Sequence, residues 1–215
     1  MVNVAFELGN QTKEELEFSN NIDSLRYDTL LVIGMGGSGV SGDVLSLLSR
    51  EVSSKNIIVN KSYTVSKKIM DLTPFCLFIS YSGNTEETLY ALEACQKRRA
   101  QLASVTSGGA LEKFAKEKGF NCITIPGNQP PRAMFGYSFT QLFFLLNHYG
   151  LIDNSFMSEF EKGIALLDSQ QEAIKSEAKE LATKLYGTTP VIYTAAGFEG
   201  VGVRFRQQIN ENSKK

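Results

Sequence analysis

Two short stretches rich in glycine and hydroxyl residues constrain the fold of this chain more than any other feature. They are residues 34–39 (GMGGSG) and residues 80–88 (SYSGNTEET). Each follows an apolar run typical of a buried strand and precedes a stretch with helical periodicity. Where a strand turns into a helix in this way, unpaired backbone N–H groups, a partial positive charge and hydroxyl donors are available to bind an anion. Two such turns, without the lysine of a P-loop, favour a phosphorylated small molecule as ligand.

The overall charge and hydropathy exclude several classes of partner. The 215 residues include 22 Lys and Arg against 23 Asp and Glu, so the net charge is −1. Such a chain has no electrostatic footprint for nucleic acid or for an anionic membrane. Its apolar runs are too short to span a membrane, and its first residues lack the basic and apolar order of a signal peptide. We therefore expect a cytoplasmic protein with no nucleic-acid or membrane partner.

The cysteines and the single histidine predict no metal site. Cys76 and Cys122 lie in apolar strand-like runs and Cys95 on a predicted helix, and no cysteine pair has the spacing of metal ligands. We interpret all three as small core residues in a reducing compartment. His148 lies near the end of an apolar helix, where a packing role is favoured over catalysis.

Strand-like runs alternate with amphipathic helices through the first 150 residues. The predicted strands are 30–33, 56–60, 75–80, 102–106 and 122–125, and the predicted helices are 11–24, 40–50, 85–99, 110–118 and 132–149. Continuous apolar strands separated by helices imply a parallel sheet that is covered on both faces and joined by right-handed crossovers. The fold class predicted is α/β, a doubly wound five-stranded parallel sheet.

The pattern changes after Gly150. Residues 155–186 predict one long helix, residues 190–194 a new strand, and residues 200–212 a further helix. One strand and one helix cannot bury their own faces. We therefore expect residues 1–150 to form a first domain, and residues 151–215 to form a linking helix and the start of a second, incomplete domain.

The first glycine-rich loop has competing interpretations. Gly34, Gly36 and Gly39 match the spacing of the dinucleotide-binding fingerprint. That function needs an acidic residue after the second strand to hold a ribose, and residues 59–63 (VNKSY) contain none. Nicotinamide cofactors are therefore not expected to bind. A tight turn with no ligand role is the other alternative.

The second loop is the more specific signal. Ser80, Ser82 and Thr85 place three hydroxyls at the end of a strand, at the edge where open α/β sheets bind ligands. We expect these hydroxyls to converge on one phosphate group. The alternative is a helix cap, in which Ser82 or Asn84 bonds the first turn of the next helix.

Arg132 and Glu211 differ in how far the pattern identifies them. Arg132 opens a predicted helix after two prolines at the same edge of the sheet. It is a candidate for stabilising negative charge on a sugar oxygen, and a surface salt bridge is the alternative. Glu211 is not distinguished by pattern, because a glutamate near a helix terminus is usually solvated.

Four segments resemble the sugar isomerase (SIS) domain, and most of all the bifunctional phosphoglucose/phosphomannose isomerase family. Three of them are residues 36–39 with Asp43, residues 80–88, and residues 132–137 (RAMFGY). Residues 205–214 (FRQQINENSK) resemble the segment that carries the family's catalytic glutamate. The resemblance covers essentially the whole chain in order.

This resemblance implies two SIS domains per subunit, the first flavodoxin-like and phosphosugar-binding, in a cytoplasmic homodimer without metal or cofactor. It implies that fructose 6-phosphate interconverts with glucose 6-phosphate and mannose 6-phosphate through an enediolate. It implies that the phosphate is bound by Ser80, Ser82 and Thr85, and that the sugar site is lined by Gly36, Gly37 and Ser38. It also implies that Arg132 faces the enediolate and that Glu211 transfers the proton between C1 and C2.

The chain departs from the family after Glu211. The family has a ring-opening histidine beyond this glutamate and a lysine near its C-terminus, and neither position exists in these 215 residues. His148 is in the wrong place to substitute, so we expect low turnover. A non-catalytic SIS module that senses a phosphosugar, an amidotransferase isomerase domain and a pentose phosphate isomerase are the alternatives. The glutamate in a second domain favours the hexose enzyme.

Overall fold

The structure is a computed structural model that describes residues 27–49 and 53–213. The helix predicted over residues 11–24 lies outside the described residues. The strands are Thr29–Gly34 (β1), Asn56–Asn60 (β2), Phe75–Ser80 (β3), Gln101–Thr106 (β4) and Asn121–Thr124 (β5). All five are parallel and form one sheet in the order β2–β1–β3–β4–β5. The predicted doubly wound α/β fold is therefore confirmed.

Helices connect the strands and continue beyond the sheet. They are Gly36–Leu48 (α1), Lys67–Met70 (α2), Glu86–Lys97 (α3), Gly109–Lys118 (α4), Phe135–His148 (α5), Ser155–Ser169 (α6), Gln171–Leu185 (α7) and Glu199–Ser213 (α8). A 3-10 turn, Pro131–Ala133, precedes α5. The helix predicted from residue 132 therefore begins three residues later, after this turn.

The two faces of the sheet are both buried, which is why the strands have no polar alternation. In β3, Phe75, Leu77 and Ile79 pack on one face with apolar residues of α1 and α5. Cys76 and Phe78 point the other way and pack with apolar residues of α3 and α4. Side chains alternate between the faces of a strand. Phe75 and Phe78 are at most 1% exposed, and burial of each contributes about 1.5–3 kcal/mol to stability.

The long helix predicted over residues 155–186 is wrong, because the chain forms α6 and α7 instead. Gln170 separates the two with φ −102° and ψ 6°, a conformation outside the helical region. The Ser169 hydroxyl donates to the Leu166 carbonyl oxygen and closes the end of α6. A break of one residue leaves the hydrophobic periodicity almost unchanged, so the sequence pattern did not reveal it.

The strand predicted over residues 190–194 is also wrong. The structure assigns no strand there, and Val191 and Tyr193 are 72% and 90% exposed. Among residues 27–49 and 53–213, no other strand pairs with this segment. A strand forms only when its backbone groups bond to a neighbour, and β propensity does not report whether that neighbour is present.

The loop after β3 depends on a glycine in contact with the loop after β4. Gly83 has φ +66°, and a Cβ built there would lie 1.8 Å from the Gly108 carbonyl oxygen. Gly119, which ends α4 with φ +69°, has nothing within 4 Å of such a Cβ. Both conformations are left-handed, and only the first position is crowded.

We expect Gly83→Ala to lower the free energy of unfolding more than Gly119→Ala does. The control substitution carries the cost of the left-handed conformation alone, roughly 1–2 kcal/mol, whereas Gly83→Ala adds a steric clash. Chemical denaturation of both variants measures the difference. If both variants lost the same free energy of unfolding, the loops after β3 and β4 would be able to move apart without a cost in stability.

Candidate functional site

A cavity of about 400 Å³ opens at the carboxyl edge of the sheet, beside the ends of β1 and β3. The chain leaves β1 and β3 toward opposite sides of the sheet, and such a switch point is where open α/β sheets bind ligands. The walls come from the loops after β1 and β3, the Pro131–Ala133 turn, the start of α5, and α8. The cavity therefore combines residues that are far apart in the chain.

Seven of the eight site residues predicted from sequence line this cavity. They are Gly36, Gly37, Ser38, Ser82, Thr85, Arg132 and Glu211. The exception is Ser80, which is 2% exposed and does not line the cavity. Its Oγ lies 2.8 Å from Oγ1 of Thr85. The structure thus places Ser80 in contact with a cavity residue rather than in the cavity wall.

The hydroxyls of the loop after β3 are not used to cap α3. Thr85 is the N-cap residue of α3, but its side chain bonds none of the backbone N–H groups of that helix. The Ser82 hydroxyl oxygen accepts a bond of 3.2 Å from the Asn84 N–H, within the loop. Asn84 bonds the Ala110 N–H of α4 instead of α3. The cap by Ser82 or Asn84, which was the alternative to a phosphate site, is therefore not formed.

The loop after β4 braces this hydroxyl-rich loop. The Ser107 hydroxyl donates to the Tyr81 carbonyl oxygen at 2.6 Å, and the Leu111 N–H donates to the Gly83 carbonyl oxygen at 2.9 Å. Sequence reasoning missed this contact. The available signal was the glycine pair at residues 108–109, both of which have positive φ. The bracing holds the loop in place before any ligand arrives.

Arg132 is held by α8. Its Nε donates to Oδ1 of Asn212 at 3.1 Å. Within the described part of the chain Arg132 forms no ion pair, so the surface salt bridge considered from the sequence is not formed. Glu211 precedes Asn212 on the same helix and lines the same cavity. One helix therefore brings the candidate base and the candidate cation together.

Arg204 is a charged cavity residue that sequence reasoning missed. Its Nη2 donates to the Arg132 carbonyl oxygen at 2.7 Å, and its guanidinium carbon lies 4.8 Å from the centre of the Phe135 ring. It precedes Glu211 by two turns of α8, so its position on the same helix face was the available signal.

The charge on Arg204 has no acidic partner among residues 27–49 and 53–213. Burial lowers the pKa of its guanidinium, although an arginine side chain remains charged at neutral pH. A half-buried cation without a carboxylate partner attracts an anion. The cavity is therefore electrostatically suited to a negatively charged ligand.

Other candidates from the sequence lie outside the cavity. His148 is exposed at the last residue of α5, about 20 Å along the helix from its cavity end, and its ring packs against Tyr149. After β2, Lys61 forms an ion pair with Asp43 of α1. In the described residues, no cluster of His, Cys, Asp and Glu could hold a metal ion, and no helix could cross a membrane.

Comparison with known families matches two parts of the chain. Residues 26–147 match the SIS domain, and residues 174–215 match the bacterial phospho-glucose isomerase C-terminal SIS domain. The C-terminal domain of glucosamine-fructose-6-phosphate aminotransferase from Francisella tularensis superposes with a TM-score of 0.72 over 98% of this chain and 66% of that chain. It is 13% identical in sequence, so this likeness concerns the fold alone.

Curated relatives match nearly the whole of this chain. A bifunctional phosphoglucose/phosphomannose isomerase from Caldicellulosiruptor bescii is 34% identical over 98% of the chain, which spans 62% of that relative. A D-glucosamine-6-phosphate 4-epimerase from Sulfolobus acidocaldarius is 31% identical over 87% of the chain, which spans 58% of that protein. The SIS match over more than half of the sequence shows that the chain belongs to the SIS-domain family.

Proposed function

We propose that this chain supplies the hexose 6-phosphate site of an aldose–ketose isomerase. The reaction interconverts fructose 6-phosphate with glucose 6-phosphate and mannose 6-phosphate through an enediolate. The observation that carries the proposal is that Thr85, Arg132 and Glu211 line one cavity at the switch point of the sheet. The similarity to the isomerase from C. bescii supports the same reaction.

The phosphate is proposed to bind where α3 begins. The helix N-terminus supplies backbone N–H groups and a partial positive charge, and Ser82 and Thr85 add hydroxyl donors. Ser80 and Thr85 share one hydroxyl hydrogen between their oxygens. When buried Ser80 donates that bond, the Thr85 hydrogen is left for a phosphate oxygen. Ser80 then acts through Thr85, which refines its expected role as a direct phosphate ligand.

The sugar is proposed to extend from the phosphate toward α8. Gly36, Gly37 and Ser38 line that part of the cavity without large side chains. Gln207 also lines it, and its Oε1 is buried with no hydrogen-bond partner in the described residues. A buried acceptor without a partner is costly, and a sugar hydroxyl is a donor of the required kind. This orphan oxygen supports a polyhydroxylated ligand.

The chemistry needs one base and at least one cation. Glu211 takes a proton from the carbon next to the carbonyl and returns it to the neighbouring carbon. The resulting enediolate carries negative charge, which the guanidinium groups of Arg132 and Arg204 stabilise. Phosphate binding at the far end of the substrate holds the reacting carbons beside the base. No step requires a metal or a cofactor.

The division into domains stays part of the proposal. Residues 1–150 are the first, phosphosugar-binding SIS domain, and residues 151–215 contain linking helices and the start of a second SIS domain. The separate family matches over residues 26–147 and 174–215 support this division. The cytoplasmic homodimer implied by the family resemblance likewise stays a prediction.

Substitution of Ser82 tests the phosphate site. We expect Ser82→Ala to weaken the binding of fructose 6-phosphate by roughly 1–2 kcal/mol, because it removes a hydrogen bond to a charged group. The matched control is Ser66→Ala, which removes the hydroxyl that caps α2, away from the cavity. Calorimetric titration of both variants measures the effect. An unchanged affinity in Ser82→Ala would remove this loop from the site.

Substitution of Glu211 tests the proton transfer. We expect Glu211→Gln to slow the exchange of substrate C1 and C2 hydrogens with D2O by about 100-fold or more, because the base is lost. Its affinity for fructose 6-phosphate should stay within about twofold of the wild type, because the phosphate contacts are kept. Exchange followed by NMR reads proton transfer on the open-chain substrate, which also forms in solution without an enzyme, so it does not require the family's ring-opening histidine. Glu177→Gln, on the exposed face of α7, is the control.

Three results would contradict this assignment. Equal losses of binding and exchange in Glu211→Gln would make Glu211 structural. Binding by the wild type with no exchange would favour a phosphosugar sensor. Reaction at C4 of glucosamine 6-phosphate, with no exchange at C1 or C2 of the hexose phosphates, would favour the activity for which the S. acidocaldarius relative is named.

A further inference from the structure

We propose that Gln208 and Asn212 are positioning residues that orient the Arg132 guanidinium toward negative charge at the sugar end of the ligand. The inference rests on the proposed function, because it assigns these residues to the same cavity. Neither side chain lines the cavity itself. Their effect on the ligand therefore passes through Arg132.

The carrying observation is a closed ring of three hydrogen bonds. Arg132 Nε donates to Asn212 Oδ1 at 3.1 Å, and Asn212 Nδ2 donates to Gln208 Oε1 at 3.1 Å. Gln208 Nε2 then donates to the Arg132 carbonyl oxygen at 3.2 Å. Each amide uses its oxygen and its nitrogen within the ring. Neither amide can therefore turn over without breaking two bonds.

The ring fixes one nitrogen of Arg132 and leaves the others available. In the described residues, the two terminal nitrogens of the guanidinium have no hydrogen-bond or ion-pair partner. A planar guanidinium held at Nε presents its remaining donors in a defined direction. An unheld arginine side chain would instead lose considerable rotamer entropy on binding. The ring thus lowers the entropy that the Arg132 side chain loses when it contacts the ligand.

Two neighbouring faces of α8 have different roles, because one contacts Arg132 and the other lines the cavity. Arg204, Gln208 and Asn212 recur every four residues, and all three contact Arg132. Gln207 and Glu211, also four residues apart, line the cavity, and Arg204, which lies between the two faces, lines it as well. Residues spaced by four lie on one face of a helix. One face of α8 therefore holds the arginine, while the adjacent face carries the candidate base.

The test compares two ligands that differ only at C1. 6-Phosphogluconate carries a carboxylate there, whereas D-glucitol 6-phosphate carries a neutral alcohol. We expect Asn212→Ala and Gln208→Ala each to weaken 6-phosphogluconate binding by about fivefold to tenfold, the scale of one ordinary hydrogen bond. D-Glucitol 6-phosphate should bind within about twofold of the wild-type affinity in both variants, because its phosphate contacts are untouched. Calorimetric titration of the 215-residue chain gives all the affinities.

A double-substitution cycle separates positioning from simple packing. In an Arg132→Ala background, adding Asn212→Ala should cause no further loss of 6-phosphogluconate affinity. The control is Ser213→Ala, which removes a bond to the Ile209 carbonyl oxygen at the same end of α8 without touching Arg132. It should leave both ligands unaffected. Circular dichroism checks that each variant is folded.

Each alternative outcome overturns a different statement. Equal losses for the two ligands in Asn212→Ala, or a full additional loss in the Arg132→Ala background, would show that the ring only packs α8. Wild-type affinity for both ligands in Asn212→Ala and Gln208→Ala would show that Arg132 needs no positioning. A wild-type chain that binds neither ligand would overturn the proposed function, and this inference with it.

Discussion

The parallel pairing of β1 with β3 determines where the site lies. Ile33 pairs with Phe78 and Gly34 with Ile79, so the two strands end side by side. The chain then leaves β1 for α1 on one face of the sheet and leaves β3 for α3 on the other. The two connections diverge and open a cleft between two helix N-termini. Both termini add positive potential to the same small volume, which makes this edge receptive to an anion before any side chain is considered.

The cleft and the C-terminal helix contribute different chemistry. The sheet side offers backbone groups and neutral hydroxyls, which do not titrate near neutral pH. The charged side chains come from Arg132 in the turn before α5 and from Arg204 and Glu211 of α8. This separation suits a ligand with a permanently charged end and a reacting end. The cleft and the C-terminal helix can then differ in sequence independently of each other.

The sequence predicted the sheet well because each buried strand is a continuous apolar run bounded by turn residues. It predicted Ser82 and Thr85 for a related reason, since polar residues after a strand fall at a known edge. Glu211 emerged only through family resemblance. Arg204 was missed because its role depends on which surface α8 packs against. The strand predicted over residues 190–194 failed because pairing depends on a second strand, which local composition does not report.

The contact between α8 and the sheet domain has a consequence for how the site assembles. The helix meets α1 where Gly200 lies close to Asp43 and Val44, and it meets the turn before α5 through Arg132. The segment before it adds no strand to the sheet. Docking of α8 therefore depends on these contacts and not on strand pairing within the sheet. A ligand that touches both Thr85 and Glu211 binds only the docked arrangement, so its apparent affinity includes the free energy of docking, and its binding in turn favours the docked helix.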